Sequence, residues 1–188
     1  RNLAESVEDN LREDERLTFL ASRHPAVASA ASGSPAQACD AFLQECASLT
    51  PGFHWFVTNG QGLIVSASAR ELYATASANV VSRRPYLSDA LSGKTGRYFA
   101  LGAIVKSTGH YTSQPVRDSS GRIAGAIVLK RPMSTLSASF GRHPHAMLLS
   151  PEGIIFLGSR REWDLKPLFP LPLERKTELE RSGQFGAI

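Results

Sequence analysis

The chain has 188 residues, of which 42% are hydrophobic and 20% are charged, and its formal net charge is +4. These are the values of a globular protein, and they exclude wholesale disorder. The lysines and arginines are scattered and form no basic stripe, which argues against nucleic acid as a partner. The apolar runs, such as residues 124–129, are too short to cross a bilayer. The length suits one ample domain, or one domain with a small second one.

The first fifty residues predict two helices. Residues 1–22 repeat Leu3, Val7 and Leu11 on one side, which is typical of an amphipathic helix. Two interpretations of this helix stay open: it packs on its own domain, or it emerges from a membrane and pairs with its twin in a dimer. A second helix is predicted over residues 36–49. Because the chain starts without Met and stops in mid-pattern, we expect a piece of a longer protein.

Residues 51–140 predict a sheet of five antiparallel strands. Asn59-Gly60 is typical of a hairpin turn between the first two strands. A polar, irregular stretch with a short helical turn follows at residues 69–81, and a short helix is predicted at residues 86–91. The five strands are predicted at residues 53–58, 63–68, 97–105, 111–116 and 123–130.

Residues 141–188 predict a second, smaller α+β domain that is rudimentary or truncated. A hairpin over residues 145–149 and 154–157 is followed by a helix over residues 173–181. The fold class is therefore α+β, with a long N-terminal helix, a five-stranded antiparallel sheet with flanking helices, and the small second domain. The predicted domains are a helical region at residues 1–50, a ligand-binding domain at 51–140 and the smaller domain at 141–188.

The sequence carries no motif of a known catalytic chemistry, neither a nucleophile elbow nor a phosphate-binding loop. His143 and His145 flank a proline and could ligate a metal, but no carboxylate or cysteine lies near them in the sequence. The alternative for this segment is a loop that joins two domains. We therefore predict no catalytic residue, no metal and no cofactor.

Residues 82–130 begin near two arginines and end with a lysine, and they predict a pocket for a small anion. Arg84 precedes a proline, which favours an extended backbone just before the short helix, and its guanidinium can fork two carboxylate oxygens. Alternation places Tyr111 and Ser113 on one face of their strand. Lys130 ends an apolar strand, where a lysine either snorkels to water or meets a buried anion. Each charge alone has an ordinary surface explanation, and only their combination indicates a pocket.

Residues 84–102 read RPYLSDALSGKTGRYFALG, and residues 109–130 read GHYTSQPVRDSSGRIAGAIVLK. This pattern resembles the bacterial extracytoplasmic sensor domains of the Cache, or PAS-like, family, and within it the sensor region of dicarboxylate-sensing histidine kinases. The resemblance covers residues 53–140 and continues more weakly beyond them. It implies a periplasmic double-sensor fold on a long N-terminal helix, in a protein that spans the inner membrane and carries a cytoplasmic histidine kinase. The second domain of this chain is shorter than the usual membrane-proximal domain of that family.

The resemblance also implies which residues bind the ligand. The positions that match ligand positions of the dicarboxylate-sensing branch are Arg84, Tyr86, Ser113 and Lys130, with Tyr111 and Gly102 beside them.

The charge at one of these positions bears on the kind of ligand. Amino-acid-binding relatives typically carry an aspartate where Lys130 stands, in order to hold the ligand ammonium. Asp89 matches an acidic position of those relatives, whereas Leu87 replaces an aromatic residue that they favour. We therefore expect a carboxylate ligand without an amine.

The function that follows is that of an extracytoplasmic ligand-sensing domain of a membrane-bound histidine kinase. It would bind a small, C4-dicarboxylate-like anion and form a homodimer through its N-terminal helix, and the fragment itself would not be an enzyme. One alternative is the sensor domain of a chemoreceptor or of a cyclase. Another is an intracellular PAS-like or profilin-like interaction module without a ligand.

Overall fold

The computed structural model of the chain describes residues 2–74 and 81–188. The α-helices in these ranges are α1 Leu3–Ser22, α2 Pro25–Ala31, α3 Gln37–Leu49, α4 Arg70–Ala74, α5 Pro85–Leu91, α6 Ser137–Gly141 and α7 Leu173–Ser182. The strands are β1 His54–Asn59, β2 Ile64–Ala67, β3 Gly96–Leu101, β4 Thr108–Arg117, β5 Ile123–Pro132, β6 Met147–Leu149 and β7 Ile155–Gly158. Of the stretch predicted as irregular at residues 69–81, residues 75–80 lie outside the described ranges. None of the described helices combines the length and the apolar character that a membrane span requires.

The main sheet has five antiparallel strands in the order β2-β1-β5-β4-β3. Together with the long helix α1, it confirms the predicted fold class, α+β. The strands β6 and β7 form a separate two-stranded sheet. The pairing at the centre of the main sheet is non-local, because β1 pairs with β5, the last strand of the sheet along the chain, in the register His54 to Lys130 and Phe56 to Val128.

The predicted hairpin between β1 and β2 forms, but its turn differs from the one that Asn59-Gly60 predicts. The side chain of Asn59 accepts hydrogen bonds from the backbone N–H groups of Gln61 and Leu63, each at 3.0 Å. The positive φ falls on Gly62, at 78°, and not on the Asn-Gly pair. The physical reason is that the Asn59 carboxamide caps a longer loop, so the left-handed residue moves to its end.

The two faces of the main sheet have different partners. Trp55, Val57, Ile127 and Leu129 alternate with the residues of the other face and pack, fully buried, against the helices α2 and α3. Phe56, Val128 and Lys130 therefore point to the opposite face. It is this second face that carries the predicted ligand positions of β4 and β5.

The chain forms two compact units, and it passes between them several times. One unit comprises Glu8–Tyr98 and Tyr111–Arg131, and the other comprises Arg1–Val7, Phe99–His110 and Pro132–Ile188. The second of these has its own small core, in which Ile154, Phe156, Leu179 and Phe185 are buried together. The predicted three-part division at residues 1–50, 51–140 and 141–188 stays a prediction.

The close approach of β1 and β5 leads to a prediction about Gly125. A Cβ atom at this position would overlap the carbonyl oxygen of Thr58 on β1, so Gly125→Ala must push the two central strands apart. We expect the free energy of unfolding to fall by about 2 kcal/mol or more, measured by urea denaturation. The matched control is Gly60→Ala, whose Cβ meets the carbonyl group of Ala124 at ordinary contact distances, with the oxygen at 3.4 Å and the carbon at 4.0 Å. Equal stability of the two variants would contradict the described register.

Candidate ligand-binding site

The helix α5 begins where Arg84 and Pro85 place it. Arg84 is the residue before the helix, with φ −75° and ψ 135°, and Pro85 occupies the first turn. The carbonyl oxygen of Arg84 accepts hydrogen bonds from the backbone N–H groups of Leu87, at 3.0 Å, and Ser88, at 3.2 Å. The proline thus fixes an extended backbone immediately before the helix, and the Arg84 side chain is half-buried there.

Two tyrosine rings form the centre of the candidate site. Tyr86 of α5 stacks on Tyr111 of β4, with ring centroids 5.0 Å apart and planes within 8°, and Tyr98 lies against Tyr86 at 6.2 Å. Burial raises the pKa of Tyr86 well above its ordinary value, Tyr111 adds to the rise, and the charge of Arg84 opposes it. Burial also raises the pKa of Tyr111, again opposed by Arg84. In both tyrosines, the positive charge of Arg84 thus favours the ionised hydroxyl while burial disfavours it.

Ser113 fixes the position of α5 over β4. Its hydroxyl donates a 2.7 Å hydrogen bond to the backbone carbonyl of Tyr86, and the side chain is fully buried. Gly96 allows this approach, because a Cβ atom there would overlap both the Tyr86 carbonyl and the Ser113 hydroxyl. The Ser113 proton is thus used inside the protein, while the lone pairs of its oxygen can still accept a hydrogen bond.

Lys130 is a buried cation on the same face of the sheet. Its residue exposure is 1%, and its Nζ lies 5.8 Å from the centroid of the Tyr111 ring. Burial lowers the pKa of Lys130 to about 8 from its ordinary value of 10.5. A carboxylate beside the ammonium would oppose this effect, because it favours the charged form.

The structure brings five of the six predicted positions into one compact unit: Arg84, Tyr86, Tyr111, Ser113 and Lys130. The sixth, Gly102, belongs to the other unit. It follows the end of β3, is buried, and donates its N–H to the carbonyl of Ser107 at 3.0 Å. The ligand-binding role of all six positions stays a prediction.

Two residues of this neighbourhood were not expected from the sequence. Tyr73 of α4 is buried, its ring lies 5.4 Å from that of Phe56, and burial followed by the effect of Tyr111 raises its pKa. His54 lies opposite Lys130 across the β1–β5 pair, and burial followed by the Lys130 charge lowers its pKa. The only sequence signal for Tyr73 was an aromatic residue in a polar stretch, and His54 had none without the strand register.

In the parts of the chain that the structure describes, no group of three or more His, Cys, Asp or Glu side chains is arranged to hold a metal ion. The candidate site itself contains two cations, Arg84 and Lys130, and the hydroxyl groups of Tyr86, Tyr111 and Ser113. Such a set binds anionic oxygen atoms by charge and by hydrogen bonds.

Comparison with solved structures defines the class of the fold. The chain aligns with the sensor domain of the Vibrio cholerae histidine kinase DctB with a TM-score of 0.87 and 18% identity, over 97% of this chain and 72% of that one. It aligns with the sensory domain of the Campylobacter jejuni chemoreceptor Tlp3 with a TM-score of 0.70 and 15% identity, over 95% and 76% of the two chains. No family model matches the chain. The fold is therefore that of a bacterial sensor domain, which confirms the Cache-type resemblance seen in the sequence.

A comparison of amino-acid sequences finds a similarity to a DctB protein as well. The C4-dicarboxylate transport sensor protein DctB of Pseudomonas aeruginosa is 30% identical to this chain over 97 residues. The match covers 51% of this chain and 16% of the relative. The chain is thus similar to part of DctB over about half of its own length, and it corresponds to a small part of the relative's length.

The buried ammonium predicts an unusual stability effect for Lys130→Met. Below about pH 8 the charged lysine opposes folding, because its pKa of about 8 lies below the ordinary value of 10.5, and the penalty fades as the pH rises toward that value. We expect Lys130→Met to raise the free energy of unfolding of the ligand-free protein by about 1–3 kcal/mol at pH 7 and by little at pH 10. Denaturant titrations at the two pH values measure this. Lower stability of the variant at pH 7 would show that Lys130 has a structural role.

Proposed function

We propose that this chain is the extracytoplasmic ligand-binding domain of a membrane-bound sensor histidine kinase, and that it binds a small dicarboxylate. The ligand would lie between α5 and β5, with one carboxylate at Arg84 and the other at Lys130. The observation that carries the proposal is the burial of the Lys130 ammonium beside the Tyr111 ring. Burial of a cation costs free energy of folding, and a ligand carboxylate beside the ammonium would offset part of that cost.

The arrangement of hydroxyl groups supports an oxyanion ligand. Tyr86 and Tyr111 have a raised pKa, so both stay protonated and can donate hydrogen bonds to a carboxylate at neutral pH. The guanidinium of Arg84 favours the ionised form of both hydroxyls and has the geometry to pair with two carboxylate oxygens at once. Hydrogen bonds of this charge-assisted type contribute about 1.5–3 kcal/mol each.

The likeness to a dicarboxylate sensor supports the assignment of the parent protein. The DctB of P. aeruginosa is a C4-dicarboxylate transport sensor, and the V. cholerae protein is a histidine kinase. By this likeness we also propose that the domain is periplasmic, that the parent protein spans the inner membrane, and that two copies pair through α1. Exposed Phe19 and Leu20 on α1 are compatible with such pairing.

An amino-acid-sensing chemoreceptor domain is the second candidate function. The observation that favours it is the fold similarity to Tlp3, which has been solved in complex with L-valine (TM-score 0.69, 14% identity). An amino-acid ligand needs an acidic partner for its ammonium group, whereas position 130 carries the opposite charge. The dicarboxylate is therefore the better match for the charges of this site.

Isothermal titration calorimetry with succinate, malate and L-valine tests the ligand class. We expect the two dicarboxylates to bind and L-valine not to bind. Arg84→Ala and Lys130→Met should each weaken binding by about 10- to 100-fold, which corresponds to the loss of roughly 1.5–3 kcal/mol.

The matched controls are Arg83→Ala and Lys94→Met. Both side chains are exposed and lie in the same compact unit, so they test whether net charge alone explains the loss. Equal effects of the site variants and the controls would exclude the proposed pocket, and binding of L-valine alone would favour the chemoreceptor function.

The pKa of Lys130 predicts how binding depends on pH. Only the protonated lysine attracts a carboxylate. The affinity for a dicarboxylate should therefore be highest well below pH 8 and should decline above it. We expect succinate to bind about tenfold more weakly at pH 9 than at pH 7 in calorimetric titrations. An arginine keeps its charge over this range, so the affinity of Lys130→Arg for succinate should not change between pH 7 and pH 9. A wild-type affinity that does not change with pH would place the carboxylate away from Lys130.

A further inference from the structure

The residue after Lys130 makes the most deeply buried of the described ion pairs of the long helix. Arg131 of β5 forms a forked ion pair with Asp14 of α1, with Nε 3.0 and 2.9 Å from the two carboxylate oxygens and a terminal nitrogen 2.7 Å from one of them. The side-chain exposures are 7% for Arg131 and 0% for Asp14. The same guanidinium lies 4.5 Å from the centroid of the Phe53 ring. Water is thus nearly excluded from the pair.

We propose that this Asp14–Arg131 pair couples occupation of the ligand site to the helix α1. The inference rests on the proposed function, because it needs a ligand at Lys130. In a strand, neighbouring side chains point to opposite faces, so Lys130 points to the ligand face while Arg131 points to α1. The two Cα atoms are about 3.8 Å apart across one peptide bond. A ligand that draws the Lys130 backbone toward α5 therefore also moves the base of the Arg131 side chain.

The forked geometry is what makes the pair suited to this coupling. Two parallel hydrogen bonds fix the orientation of the guanidinium relative to the carboxylate, which a single point contact does not do. A buried ion pair contributes little net stability compared with well-packed apolar residues, and removal of one partner alone is strongly destabilising. We therefore expect the helix to follow the strand, because separation of the pair would take the nearest opposite charge away from two nearly buried groups.

The other groups around Arg131 are weaker partners. Glu13 lies 3.6 Å away with 64% of its side chain exposed, and the backbone carbonyl of Asn10 lies at 3.4 Å. An exposed ion pair of the Glu13 kind contributes at most about 1 kcal/mol. Asp14 is thus the group that transmits the position of Arg131, and Glu13 offers a control on the same helix that faces the same guanidinium.

Hydrogen–deuterium exchange of the 188-residue chain, with and without saturating succinate, tests the coupling. In the wild type we expect succinate to slow amide exchange in residues 8–22 several-fold. The variant Asp14→Leu/Arg131→Met replaces both members of the ion pair by apolar side chains, so that neither charge of the pair remains buried alone. We expect this variant to bind succinate with a dissociation constant within about threefold of wild type, and to show no change in α1 exchange on binding. Glu13→Gln should respond as the wild type does.

The outcomes separate the two hypotheses. If calorimetry detects no succinate binding by the wild type, the proposed function fails and this inference falls with it. If succinate binds but exchange in α1 is unchanged, or if the double variant responds as the wild type does, the coupling alone is overturned. Should the double variant fail to fold, the same exchange experiment on Arg131→Lys tests the coupling. It keeps the charge but loses the fork, so a reduced α1 response supports the coupling, and an undiminished response overturns it.

Discussion

The candidate site depends on the burial of one charged group, the ammonium of Lys130, at the end of a central strand. Its exposure is 1%, and burial lowers its pKa to about 8. A lysine in this state weakens the folded protein. The surrounding tyrosine rings and the β1–β5 pairing must therefore supply the stability that the lysine removes. In the proposed function, a ligand carboxylate beside the ammonium would offset part of this cost.

The two faces of strand β5 lie in different environments, one against helices and the other on the side of the candidate site. Trp55 and Leu129 pack on the helices of one face, whereas Phe56 and Val128 point to the other. Lys130 and Arg131 continue this alternation with charged side chains. Arg131 finds its counter-charge in Asp14 of α1. The charged end of β5 therefore places Lys130, a residue of the candidate site, next to Arg131, which contacts the long helix.

Local patterns in the sequence predicted the local geometry well. Pro85 fixed the extended backbone of Arg84 and the start of α5, and alternation placed Tyr111 and Ser113 toward the same helix. The pairing of β1 with β5 was not predictable, because it joins segments that no turn connects. The position of His54 opposite Lys130 depends on that register, so it was missed as well. Tyr73 was missed because the short helix α4 lies in a polar stretch without a clear period.

The contact between Ser113 and Tyr86 has a consequence for selectivity. The helix α5 is held over β4 by a hydroxyl that binds a backbone carbonyl, at a place where Gly96 leaves no room for a side chain. The spacing between α5 and the sheet is thus set by the Ser113 hydrogen bond and by the close approach at Gly96, in an interior that compresses little. If Arg84 and Lys130 each hold one carboxylate, this spacing fixes the distance between the two carboxylates that the site can bind. The domain would then discriminate among diacids by the number of carbon atoms between their charges, and less by the substituents that those carbons carry.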